Sequence, residues 1–257
     1  MLDKFIQAKQ EEITRLKTNG IKRHKIFQED RPCFSDFLLS NSPGAVVAEY
    51  KRASPSQGEI NLSLTPAEVG NIYKQGGAAA ISVLTEKKYF QSELEYLFQF
   101  QATGLPILRK DFLFHSLQIE ETTCTPASAL LLITRVFDAT NSLSYCIEHT
   151  YELGLEPLVE VFNLPDLDMA REAGARIIQV NNRDLETLQV DADVSRSLIK
   201  EKHPEEIWIC ASGLDSAREK EEMIFLGYDA CLIGTSIMAN PAPIEKLREF
   251  TGKSCKF

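Results

Sequence analysis

A short apolar run followed by a stretch of helical periodicity recurs eight times along this chain, and that alternation is its strongest constraint on fold. The strand candidates are 46–51, 78–84, 106–112, 129–134, 157–162, 176–181, 207–211 and 230–233. The helix candidates after them are 66–75, 92–101, 116–123, 139–153, 164–173, 194–200, 216–226 and 243–250. Pro66 suits a first helical turn, and Gly76-Gly77 closes the same helix. Ahead of the first strand, Leu2, Phe5, Ile6, Ile13 and Leu16 share one side of an amphipathic helix running to about Thr18, and Phe34, Phe37, Leu38 and Leu39 form a second apolar patch. The pattern predicts a single α/β domain over 1–257: a (β/α)8 TIM barrel with 1–44 as an N-terminal helical extension, in preference to an open doubly wound sheet.

Composition narrows the partners. A net charge of -9 disfavours nucleic acid and anionic membranes, neither of which is attracted to an acidic surface. There is no apolar run of the roughly 18 residues a spanning helix needs, and the N-terminus lacks the apolar core of a secretory signal, so a soluble cytoplasmic protein is expected. Cys33, Cys124, Cys146, Cys210, Cys231 and Cys255 show neither CxxC pairs nor interleaved histidines, which argues against a metal site and a disulfide framework.

In a barrel the C-terminal strand ends converge on one mouth, so those ends are where chemistry is expected. The first carries VVAEYKRASPSQG, where strand alternation puts Glu49 and Lys51 on one face, before a loop holding Ser54 and a candidate for motion. Strand two places Ser82 and Leu84 together. Strand three alternates Lys110 and Phe112 with Arg109 and Asp111. An ammonium against an aromatic ring is expected to have a lowered pKa, while Arg109 and Asp111 are expected to pair structurally behind the barrel. Strand four, ALLLIT, reads as an apolar wall suited to covering an aromatic group. Glu160 interrupts the apolar run PLVEVF and is costly there unless paired or used. Strand six puts Gln179, Asn181 and Arg183 on one face, and Asn182 and Asp184 on the other. Strands seven and eight end in CASG and LIGTS, whose Ser212, Gly213, Gly234 and Thr235 offer backbone N–H groups where such barrels bind phosphate.

Together the segments AEYKRASPSQG, SVLTEKKYFQ, PILRKDF, LLI, LVEV, NNRDLET, ASGL and LIGTSIM resemble those of the indole-3-glycerol-phosphate synthases over most of the chain. The resemblance implies a carbon–carbon lyase of tryptophan biosynthesis. It would close an indole ring on 1-(2-carboxyphenylamino)-1-deoxyribulose 5-phosphate, losing carbon dioxide and water without a cofactor. It implies Lys110 as general acid, Lys51 as the cation for carboxylate or phosphate, and Glu160 and Glu49 as the acid/base pair for dehydration. Asn181 and Arg183 would orient polar groups, Leu84, Phe112 and Leu131 or Leu132 would cover the anthranilate ring, and Ser54 with the two glycine turns would hold the sugar phosphate. The expected partner is a small anionic aromatic sugar phosphate, with a monomer as the expected assembly. The chain departs from the family pattern at Ala211, where a glutamate normally precedes Ser-Gly, and also at Phe162, Gln179 and Ser128, where histidine, glycine and aspartate are usual. Three readings therefore stand: a working synthase in which Glu49 and Glu160 suffice, with Glu49 taking more of the proton transfer; a disabled or repurposed barrel binding an aromatic sugar phosphate; and a phosphosugar isomerase such as phosphoribosylanthranilate isomerase.

Overall fold

The computed structural model describes residues 1–21 and 26–253; Cys255 lies outside them. The apolar runs form β1 (Ala45–Tyr50), β2 (Ala80–Leu84), β3 (Ile107–Lys110), β4 (Ala129–Ile133), β5 (Glu156–Val161), β6 (Ile177–Asn181), β7 (Ile207–Ala211) and β8 (Ala230–Ile233). Each pairs in parallel with its chain neighbour, and β1 pairs with β8, so the sheet closes into an eight-stranded barrel. Because side chains alternate along each strand, two apolar layers result. Val46, Ala48, Tyr50, Val83, Leu132, Val159 and Trp208 face the helices. Val47, Leu108, Leu131, Leu158, Ile209 and Leu232 fill the barrel.

Helix α1 (Leu2–Asn19) buries Leu2, Phe5, Ile13 and Leu16 as the periodicity predicts, and α2 (Phe34–Ser40) buries Phe34 and Leu38 while Leu39 stays exposed. The same face of α1 also buries Lys9, whose Nζ lies 2.9 Å from Asp111 Oδ1 and 2.8 Å from Glu12 Oε2. Burial disfavours that ammonium, but the two carboxylates outweigh it and raise the Lys9 pKa. Arg109 and Asp111 do belong to one buried network, yet they stand 3.8 Å apart, and Asp111 is held closer by Lys9 and by Thr85 Oγ1 at 2.6 Å. The extension is thus fastened to the barrel by charge as well as by apolar packing.

The helix expected at 92–101 is instead two short helices, Lys87–Phe90 and Tyr96–Phe100. The Glu86 carboxylate accepts the N–H groups of Lys88, Tyr89 and Phe90 and so starts the first one early. Gln91, at φ 51, ends it, and Ser92 donates its hydroxyl to the Leu84 carbonyl. The result carries Phe90 to the barrel mouth. After β1 the chain makes a small antiparallel hairpin, Ala53–Ser54 with Gly58–Glu59, over the same mouth.

Candidate active site

Inward residues of alternate barrel strands share a level. At the mouth, β1, β3, β5 and β7 contribute Glu49, Lys110, Glu160 and Ala211; the level below takes Ser82, Leu131, Gln179 and Leu232 from the even strands. Above them opens a cleft of about 380 Å³ lined by Glu49, Lys51, Ser54, Leu84, Lys110, Phe112, Leu131, Glu160, Asn181, Arg183, Ser212, Gly213, Gly234 and Thr235. Leu132 is the exception among the expected residues. Leu131 points inward, so its neighbour must point into the helix layer.

Glu49 organises the charge. Its Oε1 lies 3.0 Å from Lys51 Nζ and its Oε2 lies 3.2 Å from Lys110 Nζ. Burial alone would raise the Glu49 pKa, but Lys110 and then Lys51 overcome it and hold the carboxyl at about 2. The lowered pKa expected for Lys110 is not what the site produces: burial does push it down, but Glu49 and then Glu160 pull it above the ordinary value. Glu160 differs from Glu49. Its raised pKa comes first from burial, which Lys110 and the amides of Asn181 and Gln179 offset only in part. One carboxylate therefore stays ionised while the other is disposed to carry a proton.

The polar wall is ordered by its own hydrogen bonds. Asn181 Oδ1 accepts from Ser212 Oγ at 2.8 Å and from the Arg183 N–H at 2.9 Å, which turns its amide nitrogen away from both. The Arg183 guanidinium donates to the Leu188 carbonyl at 2.8 Å. Asn182 faces outward, donating to the Ser212 carbonyl at 3.1 Å, and so supports the turn from behind. Ser212 and Gly213 both have left-handed backbones, at φ 71 and 74. Gly234 has a different need: a Cβ there would sit 2.5 Å from Glu49 Oε1. Only glycine lets the turn after β8 approach the carboxylate so closely.

Sequence reasoning missed most of the apolar end. Phe5 stacks on Phe112 with ring centroids 4.2 Å apart, Phe90 approaches Phe112 at 6.4 Å, and Ile133 and Leu185 complete the lining. On a helical wheel Phe5 is indistinguishable from the core residues beside it. Ile133 alone was legible, being two residues beyond Leu131 on the same strand face. Among the described residues no cluster of His, Cys, Asp or Glu is arranged to hold a metal ion, and no helix is long and apolar enough to cross a membrane.

The backbone resembles that of thiamine phosphate pyrophosphorylase from Pyrococcus furiosus, with a TM-score of 0.59 over 81% of this chain and 93% of that one. At 14% identity this likeness concerns the fold alone. Sequence comparison goes further. The chain is 41% identical to the indole-3-glycerol phosphate synthase of Aquifex aeolicus over 87% of its length and 88% of the relative's. With the enzyme of that name from Methanothermobacter marburgensis it shares 38% identity over 100% of its length and 93% of the relative's. A family model described as indole-3-glycerol phosphate synthase matches residues 2–250. The chain belongs to the indole-3-glycerol phosphate synthase family.

Proposed function

We propose that this protein is an indole-3-glycerol-phosphate synthase, a carboxy-lyase that turns 1-(2-carboxyphenylamino)-1-deoxyribulose 5-phosphate into indole-3-glycerol phosphate, carbon dioxide and water. The observation that carries the proposal is the Lys51–Glu49–Lys110 chain of ion pairs beside buried Glu160, between an aromatic wall and two glycine turns. The anthranilate ring is assigned to Phe112, Leu84 and Leu131, with Phe5 and Phe90 closing that end. The phosphate is assigned to Ser212, Gly213, Gly234 and Thr235, with Ser54 above them. Protein of this class is expected in the cytoplasm.

Ring closure joins the carboxylate-bearing ring carbon to the ketone carbon, and the ketone oxygen needs a proton as the bond forms. Lys110 is the proposed donor: Glu49 keeps it charged, and an ammonium held in one orientation stabilises the developing alkoxide. Lys51, on the other oxygen of Glu49, is placed to hold the substrate carboxylate until carbon dioxide departs with its electron pair left to the ring. Dehydration then removes the new hydroxyl as water and one hydrogen of the adjoining methylene, whose proton goes to the Lys110 amine left neutral by ring closure. Glu160 suits the hydroxyl, because a carboxyl of raised pKa has a proton to give. Glu49, held at about 2, is too weak a base for the extra proton transfer expected of it, and its part is to fix the two lysines. Asn181 and Arg183 orient the sugar hydroxyls.

The test is incubation with the carboxyphenylamino-deoxyribulose phosphate, following indole fluorescence and released carbon dioxide. Wild-type protein is expected to give both products in equal amounts, and Lys110→Ala to lose turnover by about a thousandfold or more. Absence of product from the folded wild type would overturn the proposal, and an active Lys110→Ala would overturn the choice of acid.

A further inference from the structure

One level below the mouth, Gln179 is fully buried on the inward face of β6, beside Glu160 in the strand register. Its Nε2 donates to Glu160 Oε2, while its own Oε1 has no hydrogen-bond partner. A buried unpaired carbonyl costs about 1–3 kcal/mol, so a leucine of similar size would be the better residue if packing were all that mattered. Ser82 Oγ, on the same level, is likewise buried without a partner. The floor beneath the charged layer therefore sets two incompletely satisfied polar side chains between Leu131 and Leu232, which marks it as more than filling.

A carboxyl that gains and loses a proton changes what it asks of its neighbour. As a carboxylate it only accepts, and Gln179 Nε2 serves it; as an acid it donates from one oxygen, and an amide can accept that bond with its oxygen. A glutamine supplies both partners by turning its terminal amide, and the free Oε1 is the half not in use. Asn181 lacks that freedom, because its Oδ1 already accepts from Ser212 and Arg183. We propose that Gln179 is a positioning residue acting through Glu160, its amide holding the carboxyl in one rotamer from below and turning over to match each protonation state of the cycle. The inference rests on Glu160 being the proton-carrying group of the proposed reaction.

The test compares wild type with Gln179→Leu and Gln179→Met in steady-state kinetics across pH. Loss of the amide is expected to lower kcat about tenfold. KM should stay within about twofold, since Gln179 does not line the cleft. The carboxylate loses a donor, so the alkaline limb of kcat should move up by about one pH unit. In a Glu160→Gln background either change should have no further effect on kcat, because the group it acts through is gone. Unchanged kcat and pH limb, or an equal loss in the Glu160→Gln background, would overturn the inference while leaving the synthase reading intact. If wild type makes no product, that reading fails. Carbon-13 titration of the Glu160 carboxyl in wild type and Gln179→Met then decides the contact alone: an upward shift in the variant supports it, and identical curves overturn it. Should Gln179→Leu fail to fold, Gln179→Met carries every measurement.

Discussion

Replacing Glu49 by glutamine removes the charge that pairs with both lysines while keeping the side chain's size. The Glu49 carboxyl is held at about 2 against an ordinary 4.5. At about 1.4 kcal/mol per tenfold, that difference amounts to about 3 kcal/mol of folding stability at pH 7. Glu49 is buried, so little of this is lost to solvent screening. Because the folded-state pKa is depressed, the unfolded chain binds the proton more readily, and the contribution is complete above pH 4.5 and fades as pH falls towards 2. Linkage leaves about 1.4 kcal/mol of it at pH 3. The stability difference between wild type and Glu49→Gln should therefore shrink by about 2 kcal/mol between pH 7 and pH 3. Urea unfolding at pH 7, 5, 4 and 3 measures it, provided both proteins keep the same dependence on denaturant. A difference that stays flat across that range would refute the ion-pair account of Glu49.

Three further outcomes are expected. Lys9→Met should cost about 3–5 kcal/mol in urea unfolding, because Asp111 is left buried and short of its nearest cation, and adding Asp111→Leu should recover much of it; a single variant within 1 kcal/mol of wild type would contradict the network. Gly234→Ala should lower kcat/KM by about tenfold or more with far-ultraviolet circular dichroism unchanged, since its Cβ would displace Glu49 from the lysines. Ala211→Glu should raise KM about three- to tenfold at low salt and less at high salt, because it adds a third carboxylate to the level that carries Glu49 and Glu160 in the cleft assigned to an anion; a lower KM would reverse that reasoning.

The barrel was legible because its signals are local. Each β-strand is a short apolar run whose alternation is set by the backbone, so Glu49, Lys110, Glu160 and Asn181 could be placed on the inner face without coordinates. Leu131 and Leu132 show where that reasoning stops, since an all-apolar strand buried on both faces carries no alternation to read. The split helix after β2 escaped because its start depends on a side-chain cap at Glu86, outside the periodic stretch. Phe5 and Lys9 escaped for another reason. Their partners, Phe112 and Asp111, lie more than a hundred residues away, and nothing local distinguishes a helix face that packs on a core from one that walls a cleft. The pKa of Lys110 went the wrong way because Phe112 was visible beside it in the chain while Glu49, on the other side of β2, was not.

Two buried carboxylates on one level of the barrel have opposite tendencies, and the cause is which cations they touch. Glu49 lies against both Lys51 and Lys110, and the two cations together hold it ionised. Glu160 feels Lys110 after Glu49 has already engaged it, and its other partners are neutral amides, which stabilise a carboxylate less than an ammonium does. Ala211, at the fourth position of the level, adds no third acid to compete for Lys110. The lining carries Lys51, Lys110 and Arg183 alongside Glu49, Glu160, Asp111 and Asp215, but Asp111 is paired with Lys9 and Asp215 is exposed, so the three cations remain to attract a substrate bearing a carboxylate and a phosphate. On the proposed assignment, that substrate's own negative charge keeps the proton on Glu160 through ring closure. Carbon dioxide leaves as a neutral molecule, so the electron pair it leaves behind cancels the positive charge that ring closure puts on the ring, and no net charge is carried out of the cleft.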